Sequence, residues 1–315
     1  MTKSRWPWLG DAAATADRRA TLRQLLGPLP TLDGPPGGTL VGTQDLSFAR
    51  AETWRLTLNR EETVPALLLL PVDRAPRALM LYCHAHGNRF EVGKDELLVG
   101  RPALQSPPYG ELLPALGWAV LAIDHWCFGE RAQHAERALV KQLLWEGRSL
   151  WGYRVHDSLA ALAWLHAQTR FAGLPTVAMG LSMGSAMAVW TAALCPVIDA
   201  CIDLCGLAEF DALLATGGHD LHGEYFFVPG LKRDFSAAEI AALIAPRPHL
   251  SLVGRDDPLT PAKGVRAVDA ALRDAYAALG QPGAWRQQSF DVGHQETASM
   301  RALVLQKLEA LQAGA

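Results

Sequence analysis

No apolar run in this chain of 315 residues approaches the roughly 20 consecutive residues needed to cross a bilayer. Clusters of basic residues are missing as well. Lys and Arg total 29 against 32 Asp and Glu, a formal net charge of -3, which argues against nucleic acid or an anionic membrane as a partner. Met1 to Trp8 carries neither the apolar stretch nor the small-residue cleavage site of a secretory signal, so a cytoplasmic location is expected. Cysteine is scarce and odd in number: Cys83, Cys127, Cys195, Cys201 and Cys205. They sit in apolar surroundings without zinc-type spacing, so buried, reduced thiols are expected, with no metal and no organic cofactor.

What is present is a hydrophobic fraction of 50% beside 19% charged residues, the composition of a soluble globular enzyme with a large core. The segment 1–43 stands apart. Thr15 to Leu26 reads as a short amphipathic helix, and the Gly/Pro-rich stretch to Gly38 follows it. We expect an arm that lies across the main body or forms a homo-oligomer contact. From 44 to 315 the pattern is that of one domain. Thr53–Leu58 and Val64–Leu70 read as an antiparallel hairpin. Short, wholly apolar runs follow at Ala78–Tyr82, Ala119–Ile123, Val177–Met179, Ala200–Leu204 and His249–Val253, with an edge candidate at Trp285–Phe290. Helical stretches separate them, including 148–168, 261–279 (capped by Thr260, with Pro261 in its first turn) and 295–311. Continuous apolar strands alternating with helices predict α/β architecture, a mostly parallel sheet covered on both faces. The aromatic-rich segment 206–235 breaks the rhythm and is expected to form a lid or pocket wall.

The chemistry centres on Gly180-Leu181-Ser182-Met183-Gly184, placed between an apolar strand and a helix-like run. A serine on such a turn is lifted clear of the sheet, and the glycines on either side leave room for neighbouring backbone. A serine hydroxyl needs a base and a group to orient that base. The histidine is His294, after the last strand candidate. The acid lies in Gly254-Arg255-Asp256-Asp257-Pro258, where Asp257 is favoured; Asp256 and the strand-end Asp203 are the competitors. An oxyanion hole needs two backbone donors, one from Met183 and a second from the loop Cys83-His84-Ala85-His86-Gly87-Asn88. One register makes the donor His86 and the other makes it Asn88; His86 is preferred. Trp126, Phe128, Tyr225, Phe226 and Phe227 are candidates to line a pocket for substrate, with core packing as the competing reading.

Together these residues resemble the α/β-hydrolase superfamily, within it the dienelactone-hydrolase-like and acetyl-xylan-esterase-like serine hydrolases. The resemblance spans about residues 50 to 313. It rests on His84–Gly87, Gly93-Lys94-Asp95-Glu96, Ala122–Arg131, Gly180–Gly184, Gly254–Pro261 and Gly293-His294, and the chain order Ser, Asp, His agrees with it. Asp124, Gly129 and Arg131 resemble the loop that closes the pocket floor; a buried Asp/Arg pair holding a turn is the alternative. Dienelactone hydrolases carry cysteine where Ser182 stands, so a thiolate mechanism is excluded here. The resemblance implies a serine hydrolase of small-molecule carboxylic esters. A peptidase or amidase of the same fold is the second reading, and a non-catalytic binding member the third.

Overall fold

The computed structural model describes residues 6–313, so residues 1–5 of the expected arm and 314–315 of the expected domain lie outside it. Nine strands form one sheet: β1 Gly37–Asp45, β2 Arg50–Thr57, β3 Val64–Leu70, β4 Ala78–Cys83, β5 Trp118–Ile123, β6 Thr176–Leu181, β7 Ala200–Leu204, β8 His249–Gly254 and β9 Trp285–Phe290. Their order is β1-β2-β3-β5-β4-β6-β7-β8-β9. The β1–β3 meander is antiparallel and joins β5 antiparallel, while β4 to β9 run parallel. The expected mostly parallel sheet with an antiparallel hairpin at its start is therefore the one observed.

The strand period distributes side chains to two cores. In β4, Leu79, Leu81 and Cys83 join one core while Ala78, Met80 and Tyr82 join the other. The first core packs against the Leu150–His166, Met183–Leu194 and Ala262–Ala278 helices; the second packs against Tyr109–Ala115 and Ala298–Ala313. Val265, Val268, Leu272 and Tyr276 form the buried stripe of the Ala262–Ala278 helix, the spacing by which an amphipathic helix covers a sheet.

Three local expectations differ from the structure. β1 begins at Gly37, inside the segment read as arm, and is exposed along almost all its length. As an edge strand with Gly37, Gly38 and Gly42 and a register shift between Leu40 and Gly42, it has no alternating apolar face to betray it. Thr260 does not cap the Ala262–Ala278 helix; Pro261 precedes it, and the Thr260 hydroxyl donates to Asp257 instead. The last helix starts at Ala298 rather than 295, because residues before it are held in a loop that carries His294.

The helix of the arm, Ala12–Leu25, lies on the main body. Leu22 is wholly buried, and Arg19 donates to the carbonyls of Ala193 and Leu243, each at 2.8 Å. The 206–235 segment folds into short helical turns, Phe210–Thr216, Gly218–Leu221, Glu224–Phe226 and Leu231–Asp234. Leu221, His222, Gly223, Tyr225 and Phe226 of this segment lie beside Ser182 and His294, which follow β6 and β9.

Candidate active site

β6 ends at Leu181 and the Met183–Leu194 helix begins two residues later. Ser182 spans the gap with φ 58° and ψ -119°, a conformation that costs a non-glycine residue on the order of 1–3 kcal/mol and persists only where neighbours enforce it. They do so here: the Ser182 amide donates to Leu204 O of β7 at 2.8 Å. A Cβ on Gly184 would collide with the Cys83 carbonyl, so the glycine permits β4 and the turn to touch.

The β8 and β9 strands continue their pairing beyond their ends, with Arg255 N donating to Phe290 O (2.8 Å) and Asp256 N to Val292 O (3.1 Å). This ladder leaves Asp256 exposed and turns Asp257 inward, where it is 2% exposed. Asp257 Oδ2 lies 2.7 Å from His294 Nδ1, and His294 Nε2 lies 2.8 Å from Ser182 Oγ. The carboxylate also accepts from the Leu259 amide (2.9 Å) and the Thr260 hydroxyl (3.2 Å). Three strand ends thus bring Ser182, Asp257 and His294 into one hydrogen-bonded chain. Asp203 belongs elsewhere. It is fully buried and accepts from Ser251 Oγ at 2.9 Å, with His249 Nε2 at 2.7 Å, which ties β7 to β8.

The loop after β4 is held from several sides. Buried Glu96 accepts from the Tyr82 hydroxyl (2.8 Å) and the Ala85 amide (3.1 Å), while Arg101 donates to Ala85 O (2.9 Å). His84 is buried, and burial lowers its pKa to about 3 despite the hydrogen bond to Ala85 O; it is a neutral structural ring. Asn88 N donates to His86 Nδ1 at 3.1 Å, so the Asn88 amide is engaged within the loop. The amides of His86 and Met183 have no acceptor among the described residues.

Around this constellation is a cavity of about 200 Å³ bounded by His86, Glu136, Ser182, His222, Tyr225, Phe226 and His294 among others. Tyr225 and Phe226 line it, as expected, and both come from the 206–235 segment. Trp126 and Phe128 do not. The chain after β5 turns inward, so Trp126 packs on Tyr153 and under the Arg131 guanidinium, and Phe128 packs edge-on to His86. Phe227 points outward to a neighbouring apolar groove. In the Asp124 loop the buried Asp/Arg contact is made through the Asp124 backbone and not through its carboxylate. The Asp124 carboxylate takes Lys94 Nζ at 3.1 Å and the Lys94 and Glu130 amides, whereas Arg131 donates to the Asp124 carbonyl (2.9 Å) and to the carboxylates of Asp157 (2.8 Å) and Glu62 (2.5 Å).

Sequence reasoning missed Glu136, Arg154 and His222, which have no spacing relation to Ser182. Glu136 heads the Glu136–Trp145 helix. Burial raises its carboxyl, but the His86 hydrogen bond and the Arg154 charge outweigh it and hold the group below its ordinary range. Cys205 also borders the cavity, and burial together with the Asp257 charge pushes its thiol up to about 12, so it stays protonated near neutral pH. Among the described residues, Cys205, Asp257 and His294 form the one grouping whose ligand-type atoms all lie within 4.8 Å of one another. Two of the three are already bonded to each other, so an ion there would take the place of their hydrogen bond.

Comparison with known proteins gives a consistent picture. No family model matches the chain. It is 40% identical over 287 residues to "Putative hydrolase YtaP" of Bacillus subtilis (strain 168), covering 91% of this chain and 96% of that protein. Among solved structures it superposes on "a putative acetyl xylan esterase" from Bacteroides fragilis NCTC 9343 (TM-score 0.68, 18% identity, 88% of this chain and 74% of the other). A glucuronoyl esterase from Solibacter usitatus superposes equally well (TM-score 0.68, 14% identity, 98% and 93%). At such identities these two likenesses speak for the fold.

Proposed function

Because this chain belongs to the hydrolase family of YtaP and has the α/β-hydrolase fold, we propose that it is a serine hydrolase of carboxylic esters, working through an acyl-enzyme on Ser182. The observation that carries this reading is the unbroken chain from Ser182 Oγ through the His294 ring to Asp257. As Oγ attacks the ester carbonyl, His294 Nε2 takes its proton, and the charge that forms on the ring is held by the buried Asp257 carboxylate at Nδ1. The oxyanion receives the Met183 and His86 amides, the two without acceptors, at the positive end of the Met183–Leu194 helix. His294 then returns the proton to the leaving alkoxide. Water, deprotonated by the same ring, releases the acid. The esterase names of the structural neighbours favour an ester over an amide.

The cavity is small and roofed by Tyr225 and Phe226, which favours a short acyl group. A p-nitrophenyl ester series from acetate to decanoate is expected to show turnover greatest at the short end and lost in Ser182→Ala. Turnover of an aminoacyl p-nitroanilide with none of any ester would overturn the ester assignment in favour of a peptidase or amidase.

Asp257, not Asp256, orients the base in this reading. Asp257→Asn is expected to lower kcat at least about 10²-fold more than Asp256→Asn, because an amide in that place favours the wrong imidazole tautomer. Steady-state kinetics of the two variants on p-nitrophenyl acetate decide it; equal rates would remove Asp257 from the role.

A further inference from the structure

His86 does more than supply a backbone amide. Its Nδ1 accepts from the Asn88 N–H at 3.1 Å, so that nitrogen carries no proton and the hydrogen of the neutral ring is on Nε2. Nε2 lies 3.0 Å from both oxygens of Glu136 and donates to them. Glu136 is in turn held by Arg154, whose Nη2 is 2.6 Å away. Arg154 is fully buried, anchored on Trp126 O at 2.8 Å. The faces and edges of the imidazole are fixed as well. Tyr225 stacks on it at 4.7 Å and 8°, and Phe90 and Phe128 meet it edge-on.

Gly87 and Asn88, next along the loop, both have positive φ, 51° and 54°. Asn88 adopts a conformation that few non-glycine residues take, and the hydrogen bond from its amide to the His86 ring closes that turn. The backbone there is thus secured through the ring, and the ring through a carboxylate from a different helix.

We propose that Glu136 is a positioning residue: braced by Arg154, it holds the His86 ring and thereby aims the His86 amide into the oxyanion hole. The inference rests on the serine-hydrolase reading, in which the His86 amide is the second oxyanion donor. It deepens that reading by adding a polar clamp between the oxyanion loop and the core. The same ring carries the stacked Tyr225 of the cavity roof, so loop and roof share one support.

The test compares Glu136→Ala, Glu136→Gln and Ser182→Ala on p-nitrophenyl acetate. Glu136→Ala is expected to lower kcat roughly 10–100-fold, below the loss for removing a donor outright, with KM little changed. Glu136→Gln keeps an oxygen for the Nε2–H and is expected to restore kcat to within about five-fold of wild type. Affinity for a trifluoromethyl ketone, whose adduct places an oxyanion in the hole, should fall in parallel with kcat; a merely structural role would not link the two. If Glu136→Ala does not fold, His86→Phe makes the same comparison, since it keeps the ring contacts and loses both ring hydrogen bonds. Wild-type kcat in Glu136→Ala, or in His86→Phe where it stands in, with Ser182→Ala inactive overturns the clamp and leaves the serine hydrolase standing. Activity retained in Ser182→Ala overturns the underlying reading itself.

Discussion

Ser182→Ala and His294→Ala are each expected to lower kcat roughly 10⁴–10⁶-fold, and the double variant to be little worse than either. The reason is in the geometry: Ser182 Oγ has His294 Nε2 at 2.8 Å, and among the described residues no other ring hydrogen-bonds to it. Without the hydroxyl the base has nothing to deprotonate, and without the base the hydroxyl is a poor nucleophile near neutral pH. The two side chains therefore act as a unit, and their losses do not add. Residual rate above water is expected from the amides proposed for the oxyanion hole, which neither substitution touches. Burst kinetics with p-nitrophenyl acetate and labelling by a fluorophosphonate check the pair. Additive losses would mean that the serine and histidine work in separate steps.

Glu296→Ala is expected to destabilise the fold by about 3–5 kcal/mol, the cost of stripping the partner from a buried charge. Glu296 is 1% exposed and sits two residues beyond His294 in the chain. Its carboxylate accepts from Arg301 at 2.8 and 2.7 Å, from the Tyr109 hydroxyl at 2.5 Å and from the Gln105 amide at 2.9 Å. Its own amide donates to Ala103 O at 2.8 Å. Truncation leaves Arg301, 7% exposed, with the carbonyls of Gln105 and Pro107 and the face of the Tyr109 ring but no counter-charge, and removes the acceptor for that buried tyrosine's hydroxyl. Urea denaturation at neutral pH measures the loss, with Glu296→Gln expected to fall between the two because it keeps one acceptor oxygen. A shift below about 1 kcal/mol would place Glu296 among the weakly coupled ion pairs of a surface. Because the same residue fixes the loop of His294, loss of stability and loss of turnover are expected together.

The parallel strands were legible because each is buried on both faces and therefore reads as an unbroken apolar run bounded by helices. Ser182 was legible because a sharp strand-to-helix turn needs glycine at fixed offsets, which leaves a local pattern. His294 and the Asp256/Asp257 pair were legible only as positions after later strands. The proline after Asp257 favours it over its neighbour in the sequence, and the continued β8–β9 pairing adds the physical reason by sending Asp256 to solvent and Asp257 to the histidine. β1 left no signal since an exposed edge strand buries nothing. The aromatic residues after β5 were equally opaque. Whether Trp126 and Phe128 face a cavity or a core depends on which way the chain turns once β5 has paired, and it turns inward.

From the sequence alone came the α/β architecture and the serine and histidine candidates, because burial on both faces and tight turns dictate residue types within a few positions of each other. The contact of Asp257 with His294, the departure of Trp126 and Phe128 from the cavity wall and the Glu136–His86 contact came only with the tertiary structure. Glu136 lies 3.0 Å from a ring 50 residues away in the chain, and contacts of that separation are set by how elements pack, which no local pattern records.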